Sequence, residues 1–249
     1  GLNPNTTGAE STQGYLDLTS TGFKTTLYTN LNVSGRKYLF MAIRRPDCLV
    51  GKPVEAGTDV FSFTTGRTDN VKPTFTTGFP VDLNLYRPVT TSSWVTGARL
   101  IGRSILYTDS SGSEQTTSSY EWNFNNGMGN WTGNQSAYKS WNWKRHAGFD
   151  VVTYKGDTVS GRQIPHNLSK IPEMIWIKTR NQNYSWIAGH KGLNGGTNPW
   201  HYAIHLDRDE AEEDVNNRWN DTAPTSTAFT VGNHNYVNSN GNTFVAMLF

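Results

Sequence analysis

The feature that most constrains the fold of this chain is an internal repeat of about 100 residues. Thr19-Ser20-Thr21-Gly22-Phe23 recurs as Thr225-Ser226-Thr227-Ala228-Phe229, and in both places a glycine follows 12 residues after the phenylalanine. An aromatic residue comes three positions later, Tyr38 in the first case and Phe244 in the second, and opens an apolar segment. Repetition at a fixed period indicates that one supersecondary unit has been copied, so we expect each copy to fold in the same way.

The register of the repeat divides the chain into four parts. The opening half of the unit occurs twice, since Asp59-Val60-Phe61-Ser62-Phe63 parallels Asp150-Val151-Val152-Thr153-Tyr154. We therefore predict the second half of a β repeat, a linker and two β-sandwich repeats, at residues 1–46, 47–57, 58–147 and 148–249. Because a half sheet leaves an unpaired edge, either the chain is a piece of a longer one, which is favoured, or a neighbouring subunit completes this half.

Alternation of side chains within each copy predicts strands rather than helices. Met174, Trp176 and Lys178 alternate with two isoleucines, and dipeptides such as Asn126-Gly127 and Asn240-Gly241 are typical of the turns that bound strands. Aromatic residues reach 12% with nine tryptophans, while charged residues make up only 17%. We predict an all-β chain of tandem antiparallel β-sandwich repeats of about 100 residues, either jelly-roll or immunoglobulin-like.

Charge and apolar content exclude several classes of protein. The net charge of +2, without a basic run, gives no electrostatic reason to expect a nucleic-acid partner. The longest apolar stretch, Tyr38 to Ile43, is far shorter than the ~20 residues that span a bilayer, so no membrane insertion is predicted. Cys48 has no second cysteine with which to form an internal disulfide.

Several segments resemble a β-rich repeat family of tailed-phage virion proteins, especially of marine phages. The resemblance is carried by Gly148-Phe149-Asp150-Val151-Val152-Thr153-Tyr154, by Ile164-Pro165-His166-Asn167-Leu168 and by Pro172-Glu173-Met174-Ile175-Trp176-Ile177-Lys178. It continues through His190 to Asn194 and Trp219 to Thr227. The family pattern is one of core and turn positions, so the resemblance implies a structural part of a tail fibre or similar appendage and no catalytic residue.

The same resemblance implies partners and a location. It implies a homo-oligomer, as a trimer or a fibre, in contact with other virion proteins and with a glycan of the host surface. The location it implies is the virion, on tail or capsid, and the extracellular space after release. A carbohydrate-binding module or adhesin outside a virion stays open as the alternative.

Aromatic side chains are the candidate ligand contacts. Sugar binding typically uses an exposed ring face beside groups that form hydrogen bonds. The candidates for such glycan contacts are four tryptophans in segments rich in asparagine and glycine, namely Trp122, Trp131, Trp200 and Trp219, with packing under a loop as the alternative interpretation of each. Trp141, Trp143 and Trp176 lie in predicted strands, where packing in the core is the default interpretation.

No metal site and no cofactor are predicted. The acidic run from Asp207 to Asp214 offers the oxygens that calcium takes, but it lacks the glycine spacing of a recognised calcium loop. A solvated loop, or a single helical turn, is therefore the preferred interpretation of residues 207–217. His201 and His205 lie four residues apart, which on a strand separates the imidazoles by about 13 Å, and His166 is expected to be structural.

No catalytic set is predicted either. Glycoside hydrolysis needs two carboxylates about 5–9 Å apart, and neither Glu121 nor Glu173 has a partner that the sequence identifies. We therefore expect that the protein is not an enzyme.

Overall fold

A computed structural model describes residues 16–19, 22–25, 33, 35–36, 38, 56–90, 93–129 and 134–249. Two compact units divide the chain, Gly1–Lys52 and Pro53–Phe249. In the first unit, β1 (Leu16–Thr19) pairs antiparallel with β2 (Gly22–Thr25). The rest of the predicted half repeat and most of the predicted linker lie outside the described residues.

The predicted equivalence of Tyr38 and Phe244 does not extend to their surroundings. Tyr38 is 46% exposed, and its hydroxyl oxygen accepts a hydrogen bond from the Val33 amide at 3.0 Å. Phe244 is completely buried in the core of the second unit. Two positions of one repeat should share an environment, so this pair lends the predicted repeat no support.

The second unit consists mainly of antiparallel strands, which confirms the predicted all-β fold class. In chain order they are β3 (Phe61–Thr65), β4 (Phe75–Thr76), β5 (Leu83–Pro88), β6 (Val95–Ala98), β7 (Ser104–Tyr107), β8 (Gln115–Thr116), β9 (Gly127–Met128), β10 (Tyr138–Trp143), β11 (Asp150–Lys155), β12 (Arg162–Pro165), β13 (Met174–Thr179), β14 (Ile187–His190), β15 (Tyr202–Ala203), β16 (Glu213–Asp214), β17 (Ala228–Val231) and β18 (Thr243–Leu248). The helices of the described part are α1 (Asn216–Trp219) and α2 (Asn235–Asn238), with 3-10 turns at 57–59, 99–101, 193–196 and 199–201. Within the described ranges, no helix has the length and apolar character needed to cross a membrane.

Two larger sheets share one order of strands. The first runs β3-β10-β5-β6-β7-β8 and the second runs β11-β18-β13-β14. Each sheet belongs to one segment of the chain, 61–143 for the first and 150–248 for the second. In each segment the last strand lies between the first and the third, and the third strand pairs with the fourth. The second strand of each segment pairs with the penultimate one, as β4 with β9 and β12 with β17. The two segments, 61–143 and 150–248, therefore correspond in topology.

Strand β18 shows why an uninterrupted apolar run forms a strand here. Phe244, Ala246 and Leu248 face one core cluster, whereas Val245 and Met247 face another on the opposite side of the sheet. A strand that is buried on both faces needs no polar alternation. Because β18 lies between β11 and β13, its position at the centre of the sheet agrees with its composition.

The two larger sheets share a core. One cluster joins Leu83 and Leu106 of the first sheet to Val151, Val245 and Met247 of the second. Both segments for which β-sandwich repeats are predicted, 58–147 and 148–249, lie in one compact unit, Pro53–Phe249. Each sheet has apolar side chains on a face that its own segment does not cover, and packing the two faces together removes both from water.

Polar contacts reinforce this shared core. Glu114, in the segment that follows β7, forms a bidentate ion pair with Arg180 at 2.7 and 3.1 Å, and its amide donates to the Arg180 carbonyl oxygen at 2.6 Å. The Trp186 indole donates to the Tyr107 carbonyl oxygen at 2.7 Å. The loop after β7 is therefore fixed to the segment that follows β13.

Lys178 is a buried cation at this junction. Its ammonium group donates to the carbonyl oxygens of Ser111, Thr179 and Gln182 at 3.1, 2.9 and 3.3 Å. The side chain lies in the protein interior. Burial disfavours the charged form and lowers the pKa of Lys178 to about 8.

We predict that the protein becomes more stable between pH 8 and 10. A lysine in the unfolded chain has a pKa of about 10.4, so in this window the unfolded state binds more protons than the folded state. Below pH 8 the folded protein carries the full free-energy cost of burying the charged Lys178. As the pH rises, Lys178 loses its proton and this cost falls. The free energy of unfolding should rise by up to about 3 kcal/mol across the window.

Urea denaturation at several pH values below 10 measures this slope. Lys178→Met removes the titrating group, so the variant should lose the rise whatever its absolute stability. An identical slope in the variant and the wild type would contradict the assignment of the rise to Lys178.

Candidate ligand-binding face

One side of the six-stranded sheet buries polar side chains. Asn84, Ser140 and Asn142 are fully buried. The Asn84 amide nitrogen donates to Ser140 Oγ at 2.6 Å and to Asn142 Oδ1 at 2.7 Å, and the Tyr120 hydroxyl donates to Asn84 Oδ1 at 3.4 Å. Burial also raises the pKa of the Tyr120 phenol. We call Asn84, Tyr120, Ser140 and Asn142 the polar layer.

The polar layer determines which way the neighbouring aromatic residues point. Successive side chains on a strand lie on opposite faces of the sheet. Trp141 and Trp143 alternate with the polar residues of β10, so they lie on the other face. The register pairs Trp141 with Phe63 and Trp143 with Phe61 on β3, which places all four rings on that face.

These rings and Trp94 form a continuous aromatic face. We define the aromatic face as Phe61, Phe63, Trp94, Trp141 and Trp143. Ring centroids are 4.9 Å apart for Phe63 and Trp141, 5.1 Å for Trp94 and Trp141, and 5.2 Å for Phe61 and Trp143. Phe63 is 55% exposed and Phe61 39%, which is unusual for neighbouring phenylalanines on one strand.

The aromatic face has a closed end and an open end. Trp143 packs against Phe149 and Phe249, with ring centroids 6.2 and 6.1 Å away, at the edge of the shared core. Phe63, Trp94 and Trp141 belong to none of the core clusters of the described residues. This open end is the part of the aromatic face that a ligand can reach.

Two cations border the open end. The register places Lys139 directly opposite Arg87, on the same side of the sheet as Trp141. The Arg87 guanidinium lies over the Trp94 ring, 4.9 Å from its centroid, and the Lys139 ammonium donates to Thr65 Oγ1 at 2.8 Å. Two basic side chains, each with partners within the protein, therefore border the open end.

The tryptophans predicted from the sequence lie elsewhere. Trp122, Trp200 and Trp219 are 5%, 6% and 1% exposed, so the prediction that they present free ring faces is wrong. Trp200 and Trp219 pack edge to face at 5.4 Å over Gly189, where any Cβ would clash with both rings. Their turn-rich segments fold back over the sheets and carry the rings into the core. Trp131 lies outside the described residues.

The sequence did contain a signal for the aromatic face. Phe61-Ser62-Phe63 and Trp141-Asn142-Trp143 each alternate aromatic and polar residues. Such alternation normally places the aromatic side in the core. For this reason the sequence did not predict an exposed aromatic face here. Only the contacts of Asn84 and Tyr120 with the polar side show that the usual orientation is reversed.

His166 is structural, as the sequence predicted. Its Nε2 lies 3.1 Å from the Thr225 carbonyl oxygen, and the Leu168 amide donates to its Nδ1 at 3.3 Å. Burial lowers the pKa of His166, so the neutral imidazole is favoured.

The acidic run is a loop over residues 207–212, as predicted, before β16 and α1 begin. Two of its carboxylates bind backbone amides. Asp207 Oδ1 accepts from the Trp186 amide at 3.1 Å, and Glu212 Oε2 accepts from the Asn194 amide at 2.8 Å. These carboxylates hold the loop against neighbouring segments.

The two glutamates that were considered for catalysis each lie beside a lysine. Glu121 Oε1 is 2.5 Å from Lys72 Nζ, and Glu173 Oε1 is 2.7 Å from Lys191 Nζ. The first pair is partly buried, whereas the second lies at the surface, where an ion pair contributes little to stability. The expectation that the protein is not an enzyme stays a prediction.

We predict that the polar layer is essential for stability. Asn84→Ala removes three hydrogen bonds of the polar layer, those to Ser140, Asn142 and Tyr120, each worth about 0.5–1.5 kcal/mol, while Ser140 still donates to Asn142. Urea denaturation should show a loss of about 2–4 kcal/mol in the free energy of unfolding. Asn125→Ala, at an exposed asparagine, should change it by less than about 0.5 kcal/mol. Equal effects of the two substitutions would disprove the role of the layer.

Comparisons with known proteins give a family but no activity. Residues 92–249 match a family model described as a domain of unknown function, DUF7483. No curated protein and no solved structure matches the chain. The matched region contains the whole four-stranded sheet, together with Trp94, Trp141 and Trp143 of the aromatic face. Because the match covers more than half of its length, the chain belongs to the DUF7483 family.

Proposed function

We propose that this chain is a structural module of a tailed-phage virion appendage, such as a tail fibre, and that its aromatic face binds a glycan of the host surface. The observation that carries the binding part is the open end of the aromatic face, where Phe63, Trp94 and Trp141 follow one another at 4.9 and 5.1 Å. The virion part is supported by motifs that resemble phage repeat proteins, most of them between residues 148 and 249.

The chemistry of the open end suits a carbohydrate. The apolar C–H face of a pyranose packs on an aromatic ring, while its hydroxyl groups need hydrogen-bonding partners at the rim. Thr65 and Lys139 provide such groups beside Phe63 and Trp141. Three successive rings offer contacts to more than one sugar, so we expect an oligosaccharide to bind better than a monosaccharide.

The charge at the rim favours acidic sugars. Arg87 and Lys139 lie directly opposite each other on neighbouring strands. A sugar carboxylate beside them can accept a charge-assisted hydrogen bond, which is stronger than one between neutral groups. We therefore propose that uronic acids or other acidic sugars bind more tightly than neutral ones.

The strands hold the rings in place before a ligand arrives. Phe63 and Trp141 lie on paired strands, and the polar layer fixes β10 against β5 from the other side. A preformed surface loses little conformational entropy on binding. This rigidity supports a role as an attachment surface on a structural scaffold.

A carbohydrate-binding module or adhesin outside a virion is the second candidate. It uses the same aromatic face and differs only in where the protein resides. Electron microscopy of phage particles labelled with an antibody against this chain separates the two, since the virion proposal expects label on the appendage, outside the host cell after release.

A glycan array tests the binding proposal. We expect binding to acidic oligosaccharides, with affinity reduced at least tenfold by Trp141→Ala because a stacked ring contributes about 1–2 kcal/mol. Ile171→Ala is the control, since Ile171 is 62% exposed and lies outside the aromatic face. Equal binding by both variants, or no binding by the wild type, would refute the proposal.

Self-association is a further part of the virion proposal, because most homo-oligomers have closed symmetry and fibres need repeated contacts. We expect a trimer or a larger assembly with itself and with other virion proteins. Sedimentation velocity at rising protein concentration measures this directly. A single monomeric species at the highest concentration would count against the assembly and leave the glycan proposal intact.

A further inference from the structure

His205 is a buried histidine with one ring nitrogen already engaged. Its side chain is only 2% exposed, and Nδ1 lies 3.2 Å from the Trp186 carbonyl oxygen. A carbonyl oxygen can only accept a hydrogen bond, so Nδ1 carries the proton in this contact. In the neutral ring, Nε2 then bears a lone pair.

Two carboxylates lie close to Nε2. Nε2 lies 3.9 Å from Glu210 Oε2 and 3.7 Å from Glu213 Oε1, beyond hydrogen-bond distance in both cases. A nitrogen lone pair that faces two anions is repelled unless a cation lies between them. Ligand atoms of His205, Glu210 and Glu213 all lie within 4.8 Å of one another, the one such group of potential metal ligands among the described residues.

The spacing suits a single ion. Zinc binds nitrogen and oxygen ligands at about 2.0–2.2 Å, so two ligands in tetrahedral geometry are about 3.4 Å apart. The two separations from Nε2, 3.9 and 3.7 Å, exceed this value by a few tenths of an ångström, and the ligand atoms of the two carboxylates lie within 4.8 Å of each other. Glu210 and Glu213 have side chains that are 48% and 37% exposed, so both can move inward toward the fixed imidazole.

The surrounding groups resemble the outer contacts of a metal site. A histidine ligand commonly donates its other N–H to a backbone carbonyl, as His205 does to Trp186. Glu213 turns Oε1 toward His205, while its Oε2 lies 3.7 Å from Nη2 of the buried Arg218. Carboxylate ligands are themselves usually held by such a second partner.

Arg208 is the competing cation in this cluster. It pairs with Glu210 at 3.2 Å, but both side chains are more than a third exposed. Exposed ion pairs contribute little to stability, so a metal ion can displace this one. The two arginines also neutralise part of the negative charge, which weakens the attraction of any cation. We therefore expect moderate rather than very tight binding.

We propose that His205, Glu210 and Glu213 bind a divalent transition-metal ion, with Zn²⁺ as the best fit. Imidazole nitrogen suits zinc and its neighbours, whereas Ca²⁺ and Mg²⁺ take oxygen ligands almost exclusively. Three protein ligands leave a coordination position for water. The bound ion connects the acidic loop and β16 to the buried segment beside Trp186.

Isothermal titration of the full chain with zinc chloride tests this site. We expect one zinc ion per chain, and affinity at least tenfold lower in Glu210→Gln and in Glu213→Gln. Glu212→Gln is the matched control, because it removes a carboxylate of the same loop that binds the Asn194 amide instead of facing His205. It should bind zinc like the wild type.

Three results would overturn the proposal. They are no binding by the wild type at millimolar zinc, unchanged affinity in both test variants, or equal binding of Ca²⁺ at the same concentration. Both substituted side chains are substantially exposed, so the variants should fold, and circular dichroism of each checks this.

Discussion

The hydrogen bonds of the polar layer determine which face of the six-stranded sheet carries the aromatic rings, and the proposed binding face depends on them. Asn84 donates to both Ser140 and Asn142 within the sheet, and these side chains have no access to water. Strand β10 cannot shift by one residue without burying aromatic rings among these groups and exposing the amides. The layer therefore fixes the direction in which Trp141 points, and an aromatic surface on the outside is the consequence.

The two segments, which have corresponding topologies, form one compact unit through their larger sheets. Each sheet covers a face of the other, and Glu114, Lys178 and Trp186 form polar contacts across the junction. Each half has a core cluster of its own, and a third cluster joins the two halves, so we expect the unit to be rigid. Rigidity serves both proposed roles, as a part of a virion appendage and as a fixed surface for a ligand.

The positions of strands could be predicted from the sequence better than the burial of individual side chains. The alternation from Met174 to Lys178 and the turn at Asn240-Gly241 are enough to predict β13 and the start of β18. Burial of Trp219 could not be predicted, because it depends on a loop folding over Gly189, a contact between distant residues. The exposure of Phe63 depends likewise on Asn84 and Tyr120, which are remote in sequence. Local patterns carry no information about such partners.

We expect a ligand to contact the outward rings of the six-stranded sheet and to make no contact with the buried tryptophans. Nuclear magnetic resonance of the protein with ¹⁵N-labelled tryptophan, titrated with an acidic host oligosaccharide, tests it directly because each indole N–H gives its own signal. The account predicts shifts at Trp94 and Trp141 with little change at Trp122, Trp200 and Trp219. Shifts confined to those three buried rings, with Trp94 and Trp141 unmoved, would contradict it.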